Sequence, residues 1–513
     1  MSTTFDNSAP DPVQADPAPR ASAGAGSAEA PAAAGGAPEA KPASHDTSLP
    51  EALVTFMLDR WAPAPRELPQ PIAHAEVFAA RRRALSKLFP AETLIIPTGH
   101  EKVRANDTHY RFRPGSDFFY LTGNLEPDCV LVMQPQEGGG HRDILFVEPN
   151  PGRSDKTFFT DRVKGELWVG PRLGVDQSRA HFGVDECRGL PELDAYLSGL
   201  VGAVTHPHRV LRGMSDRVDN LLAKQDRDKQ LGEALSEMRL LKDALEIQEL
   251  EAVVASTKRG FEDVIRALPA GRSEREVEGI FNLRARVEGN DVGYGTIAAA
   301  GHHACILHWT RNDGKLDPEK LLLIDAGVEG NSLYTADITR TLPIGGKFSP
   351  EQREIYELVL EAQEAALREV KPGNDFMEPN RAAMRVLARG LERLGILPVS
   401  AEEALKEDKQ FYRRYSLHNV SHMLGLDVHD CAQARQQVYK FGKLQPGMVL
   451  TVEPGLYFQL DDETVPARYR GIGVRIEDDV LVTESGHRNL SCEIPRTVGD
   501  VEAWMAGIWA AAK

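Results

Sequence analysis

Four carboxylates interrupt apolar, strand-like stretches of this 513-residue sequence. Asp325 and Asp337 lie in LLLIDAGVEGNSLYTADITRTLP, a pattern that predicts a β-hairpin around a Gly-Asn turn. Glu453, in MVLTVEPGLYF, and Glu477, in GIGVRIEDDVLVT, are predicted to lie inside a second strand pair. Burying an unpaired carboxylate costs several kcal/mol, so two of them on facing strands indicate a cation between them. The alternatives are that the two aspartates lie at strand ends in water, and that Glu477 is a surface acid paired with Arg475.

Three histidines fall between these two strand pairs, in YSLHNVSHMLGLDVHD. They are His418, His422 and His429, and the first two are four residues apart, so they could share one face of a helix. A single histidine is usually a core residue, but three within twelve positions favour a site. His308, in HHACILHWT, is a fourth candidate because it lies next to a short apolar run.

The candidate ligands form an oxygen-rich set without thiolates: Asp325, Asp337, His422, Glu453 and Glu477. Such donors favour divalent ions such as Mn²⁺, Co²⁺ or Fe²⁺ over a structural zinc site built from cysteines. One catalytic zinc needs fewer carboxylates than this, and bridging carboxylates suit two ions about 3.5–4 Å apart. The sequence therefore predicts a site for two divalent metal ions, with Mn²⁺ as the first candidate.

The elements that must position these residues are predicted to form two similar halves, each with two helices followed by strands. Three of the helices begin with capping boxes, in which an N-cap side chain and a Glu or Gln three residues later satisfy each other's N–H groups: Asp243 with Glu246, Ser273 with Glu276, and Ser349 with Gln352. The helices of the second pair are predicted to end near Val370 and Leu394. The strand-rich blocks span 294–343 and 415–483.

The N-terminal part alternates short strands with helices, which predicts an α/β domain. Its clearest elements are a helix over 76–89 and strands at 93–96, 129–133 and 143–147. The first residues, rich in Ala, Pro, Gly and Ser, are predicted to be disordered because they cannot bury enough apolar surface to offset the entropy of ordering. The predicted division of the chain is a disordered tail at 1–48, an α/β domain at 49–235, a second domain at 236–500 and a C-terminal tail at 501–513.

Composition argues against several classes of protein. Acidic residues number 76 against 60 Lys and Arg, and the net charge of -16 repels phosphate backbones and anionic membranes. Neither nucleic acid nor a membrane is therefore an expected partner, and no apolar run reaches the length of about 18 residues that a membrane span requires. The five cysteines are scattered and form no CxxC pair, which is typical of a reducing compartment and predicts a cytoplasmic protein.

Five segments resemble, in order, the metal-binding segments of the pita-bread metallopeptidases: LIDAG, ADITRTLP, SHMLGLDVHD, TVEPGLYF and GIGVRIEDD. The nearest resemblance is to the aminopeptidase P group, also called Xaa-Pro aminopeptidases. It extends to RRRALSKLF, RPGSDFFYLTGNLEPDCVLVM and LWVGPRLG, and covers about residues 70–495. It implies an α+β protein, in which a smaller creatinase-like α/β domain precedes a C-terminal pita-bread catalytic domain of two similar helix-pair and sheet halves. It also implies a peptide substrate with proline in the second position, and a homo-oligomer, either a dimer or a tetramer.

The resemblance further implies a role for each candidate ligand. Asp325 corresponds to a ligand of one metal only, whereas Asp337 and Glu477 correspond to the pair that bridges both metals. His422 and Glu453 correspond to the ligands of the other metal, and Glu453 also corresponds to the general base.

The remaining candidates correspond to residues that surround the metals in the family. His308, His418 and His429 correspond to histidines that line the substrate site, and His429 would stabilise the oxyanion. Arg475 corresponds to an arginine near the bridging carboxylates. Asn419 stands where the family usually has a glycine, which puts the shape of the substrate pocket in doubt.

Asp325 and Asp337 are twelve residues apart, whereas the family usually shows eleven. The extra residue is predicted to lie in the Gly-Asn turn, and a bulge that re-aims one carboxylate is the alternative. A prolidase, which cleaves only Xaa-Pro dipeptides, has the same ligands and remains open. A metal-free pita-bread binding protein or a creatinase-like enzyme is less favoured, because such proteins typically lose ligands and all five are present here.

Overall fold

The computed structural model describes residues 49–62, 68–202 and 207–512. All of these residues except Leu49 belong to one compact unit that begins at Pro50. The predicted disordered tail at 1–48 lies outside the described residues and stays a prediction. Within the three described ranges, no helix combines the length and the apolar character that crossing a bilayer requires.

The N-terminal part is built around a mixed five-stranded sheet. The strands of this part of the chain are β1 (Thr93–Pro97), β2 (Val103–Ala105), β3 (Thr108–His109), β4 (Val130–Pro135), β5 (His141–Val147), β6 (Glu186–Gly189) and β7 (His208–Val210). β2 and β3 pair with each other in a separate two-stranded sheet. The helices of this part are α1 (Glu51–Leu58), α2 (Ala75–Leu88), α3 (Ser116–Thr122), α4 (Thr157–Thr160), α5 (Glu166–Val169), α6 (Val175–Phe182), α7 (Leu193–Gly202), α8 (Asp216–Leu221) and α9 (Asp228–Met238). The strand order is β6-β5-β4-β1-β7, with parallel pairing at both edges and antiparallel pairing in the centre. The predicted α/β architecture is confirmed.

This sheet is buried on both faces, because alternate residues of a strand point to opposite sides. Val130 and Val132 of β4 belong to one apolar cluster, and Leu131 between them belongs to another. The second cluster also contains Leu424 and Val449, which lie far along the chain. One face of the N-terminal sheet is therefore continuous with apolar residues of the C-terminal part.

The C-terminal part contains the two predicted helix-and-strand halves. The first half consists of α10 (Ala244–Ala267), α11 (Glu274–Glu288), β8 (Asp291–Val292), β9 (Ile297–Ala300), β10 (Leu321–Ala326), β11 (Val328–Glu329) and β12 (Ile338–Pro343). The second half consists of α12 (Pro350–Glu369), α13 (Glu378–Arg393), α14 (Ala401–Ala404), β13 (Val449–Val452), β14 (Gly455–Tyr457), β15 (Gly473–Arg475), β16 (Asp478–Val482) and β17 (His487–Asn489), and α15 (Val498–Ala511) follows it.

A glycine lies where the two long helices of each half cross. A Cβ atom on Gly260 of α10 would come within 2.6 Å of the Phe281 ring on α11. A Cβ atom on Gly390 of α13 would collide in the same way with the Leu358 side chain on α12. Glycine is required at both crossings because any larger residue would push the helices apart. This repeated packing confirms the prediction of two similar halves.

The capping boxes that open α10 and α12 have both of their predicted hydrogen bonds. At α11, Ser273 accepts from the Glu276 N–H as predicted, but the Glu276 carboxylate accepts from the Arg272 N–H. The predicted box at α11 is therefore incomplete. The reason is tertiary, since the backbone of 272–274 pairs with that of 314–316.

Two of the predicted domain boundaries fall inside helices. The boundary after residue 235 lies within α9, and the boundary after residue 500 lies within α15. Val501 and Met505 of α15 are buried, and the indole N–H of Trp509 donates to the Ile265 carbonyl of α10 at 2.6 Å. The segment predicted to be a C-terminal tail is packed instead, because apolar residues at four-residue spacing form one buried helix face.

Candidate metal centre

The hairpin of the first half places Asp325 and Asp337 side by side. β10 pairs with β12 in antiparallel fashion, and Asp325 lies within β10 opposite Thr339. Asp337 lies one residue before β12, so the prediction that it sits inside a strand was wrong. The hydroxyl oxygen of Tyr294 is 2.7 Å from Asp325 Oδ1 and 2.5 Å from Asp337 Oδ1, so the two carboxylates converge on one point.

The hairpin has no bulge between these two carboxylates. The pairs Ala326–Ile338 and Glu329–Thr335 lie in one continuous register on either side of the Asp337 position. The added residue therefore falls in the turn over 330–334, and the alternative of a re-aimed carboxylate is not needed.

Glu453 and Glu477 lie at matching breaks between strands of the second half. Glu453 falls between β13 and β14, and Glu477 falls between β15 and β16, so the prediction that both lie inside strands was wrong. β13 pairs with β16 and β14 pairs with β15, but Pro454 has no N–H to donate and interrupts the ladder between them. The Glu477 N–H donates to the Thr339 carbonyl at 3.1 Å, which joins the second half to the first hairpin.

The segment that carries the histidine cluster is irregular and runs along β13. The Thr451 N–H donates to the His422 carbonyl at 2.9 Å, and the Glu453 N–H donates to the Val420 carbonyl at 2.8 Å. These carbonyls bond to a strand rather than within the segment, so the helix that His418 and His422 were predicted to share does not form. The four-residue spacing would allow a helix, but the hydrogen bonds of this segment to β13 hold its backbone in an irregular conformation.

A cavity of about 600 Å³ is lined by residues of both halves. All nine predicted site residues line it: His308, Asp325, Asp337, His418, His422, His429, Glu453, Arg475 and Glu477. Asp337, His422 and Glu477 each place one potential ligand atom within 4.8 Å of the other two. Glu453 Oε1 lies 3.6 Å from His422 Nε2, which adds a fourth donor at the same place.

Arg475 and Thr339 hold the carboxylates in position from behind. Arg475 Nη2 donates to Asp325 Oδ2 at 2.5 Å, and Arg475 Nε donates to Thr339 Oγ1 at 3.1 Å. Thr339 Oγ1 in turn donates to Glu477 Oε2 at 2.6 Å. Glu477 is only 2% exposed, so the alternative of a surface acid neutralised by Arg475 is excluded.

Charge in this cavity is not balanced by the protein alone. Burial raises the pKa of Glu477 well above its usual range, and the neighbouring Asp337 and Glu453 raise it further. Burial also raises the pKa of Glu453 to about 8, although His422 and Arg475 oppose the shift. Buried carboxylates with raised pKa values are groups that a divalent cation would stabilise in the ionised state. The donor set therefore fits divalent metal ions.

The histidines of the cavity divide into a charged and a neutral class. Burial lowers the pKa of His422, but its hydrogen bond to Asp337 and the negative charges of Asp337 and Glu453 together outweigh burial and raise the pKa to about 9. Burial, with the nearby Arg475, lowers the pKa of His418 to about 4, and burial also lowers the pKa of His429. A neutral imidazole carries one donor and one acceptor nitrogen, so His429 can form a hydrogen bond with a substrate. Both ring nitrogens of His418 already have partners, the Asn419 carbonyl at 2.9 Å and the Tyr457 hydroxyl at 2.7 Å.

Several residues of the site carry no recognisable signal in the sequence. Tyr294 bridges the two aspartates, and Tyr457 accepts from Arg475 at 3.0 Å and lies 2.7 Å from His418 Nε2. A buried Asp479 accepts from the Asp337 N–H at 3.2 Å. These residues lie far apart along the chain, so only the folded arrangement reveals their part in the site.

Comparison with known proteins agrees with this geometry. The profile of Metallopeptidase family M24 matches residues 248–484, and that of the Aminopeptidase P N-terminal domain matches residues 78–208. Xaa-Pro aminopeptidase 1 of Streptomyces coelicolor is 50% identical over 462 residues, which cover 89% of this chain and 92% of that protein. The chain belongs to metallopeptidase family M24.

The M24 chain is also similar to solved structures. Aminopeptidase P from E. coli, in its low-pH form, has a TM-score of 0.76 at 34% identity and covers 85% of this chain and 98% of its own. A Pseudomonas aeruginosa aminopeptidase has a TM-score of 0.75 at 34% identity, with coverage of 86% and 99%. These similarities confirm the predicted fold, a pita-bread catalytic domain after a smaller N-terminal domain, and the prediction of a hydrolytic metallo-aminopeptidase that uses divalent metal ions. The predicted domain bounds stay predictions.

Proposed function

We propose that this M24 metallopeptidase is an Xaa-Pro aminopeptidase, which releases the N-terminal residue from peptides with proline in the second position. The observation that carries the proposal is the convergence of all nine predicted site residues on one cavity. Two relatives named Xaa-Pro aminopeptidase, both from Streptomyces coelicolor, support it at 50% and 48% identity over 89% and 90% of this chain.

The proposed ligands of two divalent ions, with Mn²⁺ as the first candidate, are Asp325, Asp337, His422, Glu453 and Glu477. Asp337 and Glu477 are the proposed bridging pair, as the family resemblance implies, and each places a potential ligand atom within 4.8 Å of one on His422. A similar solved structure, zinc-substituted E. coli aminopeptidase P in complex with product, supports the need for divalent metal. When bound, such ions activate the attacking water near neutral pH and polarise the scissile carbonyl.

Glu453 is the proposed general base. Its carboxylate lies within 3.6 Å of both His418 and His422, in the cavity where the attacking water would be held, and bound metal ions would keep it ionised and able to accept a proton. It would accept the proton of the attacking water and pass it to the nitrogen of the leaving proline. His429 would donate a hydrogen bond to the carbonyl oxygen as negative charge develops there.

Proline in the second position changes what the cavity has to recognise. The scissile amide is tertiary and has no N–H, so no group of the site has to accept a hydrogen bond from it. The cavity offers apolar wall residues, Ile297, Leu307 and Val428, on which an aliphatic ring could pack. The free amino group of the substrate would lie near the Asp325 carboxylate, a charge of opposite sign.

The substrate is thus a peptide, and nucleic acid and membranes are not proposed as partners. A cytoplasmic location is supported by the cysteines, since Cys129, Cys187, Cys305, Cys431 and Cys492 are all free thiols. A homo-oligomer, either a dimer or a tetramer, stays a proposal that rests on the family resemblance.

The test is a metal-depleted enzyme assayed on three matched substrates: an Xaa-Pro-Xaa tripeptide, the corresponding Xaa-Pro dipeptide, and a tripeptide with alanine in place of proline. Restoring Mn²⁺ should restore cleavage of the first substrate, with release of its N-terminal residue. Cleavage of the dipeptide alone would instead identify a prolidase. If Mn²⁺, Co²⁺ and Zn²⁺ all fail to restore cleavage of any substrate, the proposed function is wrong.

A further inference from the structure

His429 lies on a short segment, 426–430, that has acidic residues on both sides of the histidine; this segment is called the histidine loop here. The loop has no helix or strand of its own. Two backbone hydrogen bonds hold it, from the Asp430 N–H to the Met423 carbonyl at 2.9 Å and from the Gly425 N–H to the Asp427 carbonyl at 3.2 Å. Its position also depends on what the side chains of Asp427 and Asp430 and the carbonyl of Leu426 contact.

The contacts on one side of the loop come from the N-terminal part of the chain. Arg113 Nη2 donates to the Leu426 carbonyl at 2.5 Å. Ser116 Oγ donates to Asp427 Oδ1 at 2.6 Å and accepts from Arg113 Nη1 at 3.1 Å. Residues more than 300 positions away in sequence thus hold the loop directly before His429.

The other end of the loop is tied to the junction between the two parts. Lys242 Nζ donates to Asp430 Oδ2 at 2.8 Å, and both side chains are almost completely buried. Arg239 Nη2 lies 3.4 Å from Asp430 Oδ1. Cys431, the next residue, has a φ of 59°, a left-handed conformation that a non-glycine residue keeps only when its surroundings enforce it.

Arg113 also reaches the carboxylate hairpin. Its Nε donates to Glu329 Oε2 at 2.6 Å, and Glu329 belongs to β11, in the hairpin that carries Asp325 and Asp337. One planar guanidinium therefore connects the hairpin with the histidine loop, a task that its fixed donor geometry suits and a lysine cannot reproduce. Relative movement of His429 and the carboxylates is restrained from outside the cavity.

We propose that Ser116 and Arg113 are positioning residues, which hold His429 towards the cavity and so couple the N-terminal domain to turnover. The inference rests on the proposed function, because it assigns a catalytic consequence to the position of His429. It places part of the catalytic geometry under the control of residues that touch neither metal nor substrate. A misplacement of about 1 Å is enough to cost about 100-fold in rate in well-ordered active sites.

The test uses Ser116→Ala, with Ser116→Thr as the conservative variant that keeps the hydroxyl. Arg111→Ala is the matched control, since Arg111 lies in the same segment and bonds to the Asn290 carbonyl and Asp291 but not to the histidine loop. We expect Ser116→Ala to lower kcat about 10- to 100-fold with KM changed less than about threefold, because His429 acts on the transition state. Ser116→Thr should recover most of kcat, and Arg111→Ala should match wild type.

A second readout does not require turnover. With histidine labelled at ¹³Cε1, the His429 signal, assigned through His429→Gln, should shift in Ser116→Ala and stay in place in Arg111→Ala. An unshifted signal together with wild-type kcat in Ser116→Ala would overturn the proposal, as would a Ser116→Thr variant as impaired as Ser116→Ala. If Ser116→Ala fails to fold, Arg113→Lys is measured in the same way and decides. If the His429 signal shifts between wild type and Ser116→Ala but the wild-type enzyme cleaves no Xaa-Pro peptide, the proposed function is contradicted and the contact between Ser116 and the histidine loop still stands.

Discussion

At the scale of single residues, the site is defined by carboxylates that the protein does not fully neutralise. Arg475 pairs with Asp325, and Tyr294 supplies one hydroxyl proton to be shared between Asp325 and Asp337. Glu453 and Glu477 receive less compensation, and burial raises the pKa of both. Metal ions would supply the missing positive charge, so the same carboxylates that bind the metals are the groups whose charge the metals neutralise.

Glu477→Gln should remove metal binding and turnover together. Glutamine keeps the volume of the side chain and can still accept from Thr339, but it removes the negative charge and replaces one ligand oxygen with an amide nitrogen. We expect kcat/KM to fall by more than the factor of about 10–100 that loss of an outer partner of a metal ligand costs. Metal content by mass spectrometry and peptide cleavage check this, with the exposed Glu484→Gln as control. Full metal content in Glu477→Gln would contradict the assignment.

At the scale of elements, the site depends on interruptions of regular structure rather than on regular structure itself. The strand ladder breaks at Pro454, and the break frees Glu453 and Glu477 to turn towards the cavity instead of alternating along a strand. The long helices of each half, α10 with α11 and α12 with α13, cross at Gly260 and Gly390, and these glycines set how closely the helices approach. A change at a helix crossing therefore affects stability before it affects the ligands.

Gly260→Ala should destabilise the fold, because its methyl group would meet the Phe281 ring of the neighbouring helix. Overpacking of this kind costs about 1–3 kcal/mol. Gly279→Ala is the matched control, since a Cβ atom there would meet nothing within 4 Å and alanine is the better helix former by about 0.8–1.0 kcal/mol. Thermal unfolding should show a lower midpoint for the first variant and an unchanged or higher one for the second. Equal midpoints would show that the helices of the first half can separate freely.

At the scale of the whole molecule, the N-terminal part and the catalytic domain are joined by charge as well as by apolar packing. Arg239 lies 3.6 Å from Asp117 and 3.4 Å from both Asp427 and Asp430, and its side chain is 5% exposed. Lys242 forms the closest pair, with Asp430. Because ions buried at this depth lose their hydration, each depends strongly on its partner.

Asp430→Asn should therefore lower the unfolding temperature in a pH-dependent way. Burial acts to raise the pKa of Asp430, but Arg239 and Lys242 outweigh it and the pKa in the folded protein is lowered. The carboxylate thus contributes its full stabilisation above its unfolded pKa of about 3.9, and this contribution disappears as the pH falls through the folded pKa. At pH 7 the free energy of unfolding should be lower in the variant than in wild type by about 3–5 kcal/mol, the cost of breaking a buried ion pair. This difference should shrink below about pH 4.

Calorimetry across this pH range checks the prediction, with the exposed Asp461→Asn as control. If the difference in free energy of unfolding between wild type and Asp430→Asn stays constant from pH 7 to pH 3, Asp430 stabilises the fold by packing rather than by charge.

Local patterns in the sequence predicted a large share of this fold. Short apolar runs located three of the five strands of the N-terminal sheet, β1, β4 and β5, and the caps at Asp243 and Ser349 located the starts of α10 and α12. These signals work because they depend on residues a few positions apart. The helix predicted for His418 and His422 was wrong for the same reason, since spacing alone does not show that the backbone bonds to β13.

The sequence by itself determined which residue types meet in the cavity, because buried carboxylates and a histidine cluster without a counter charge indicate cations. Only the tertiary structure decided how they are held. Tyr294 joins two carboxylates that lie 31 and 43 residues further along the chain, and Ser116 reaches Asp427 across 311 residues. Such contacts depend on the packing of whole elements, and a distance of 2.5–3 Å between remote side chains leaves no periodic trace in the sequence.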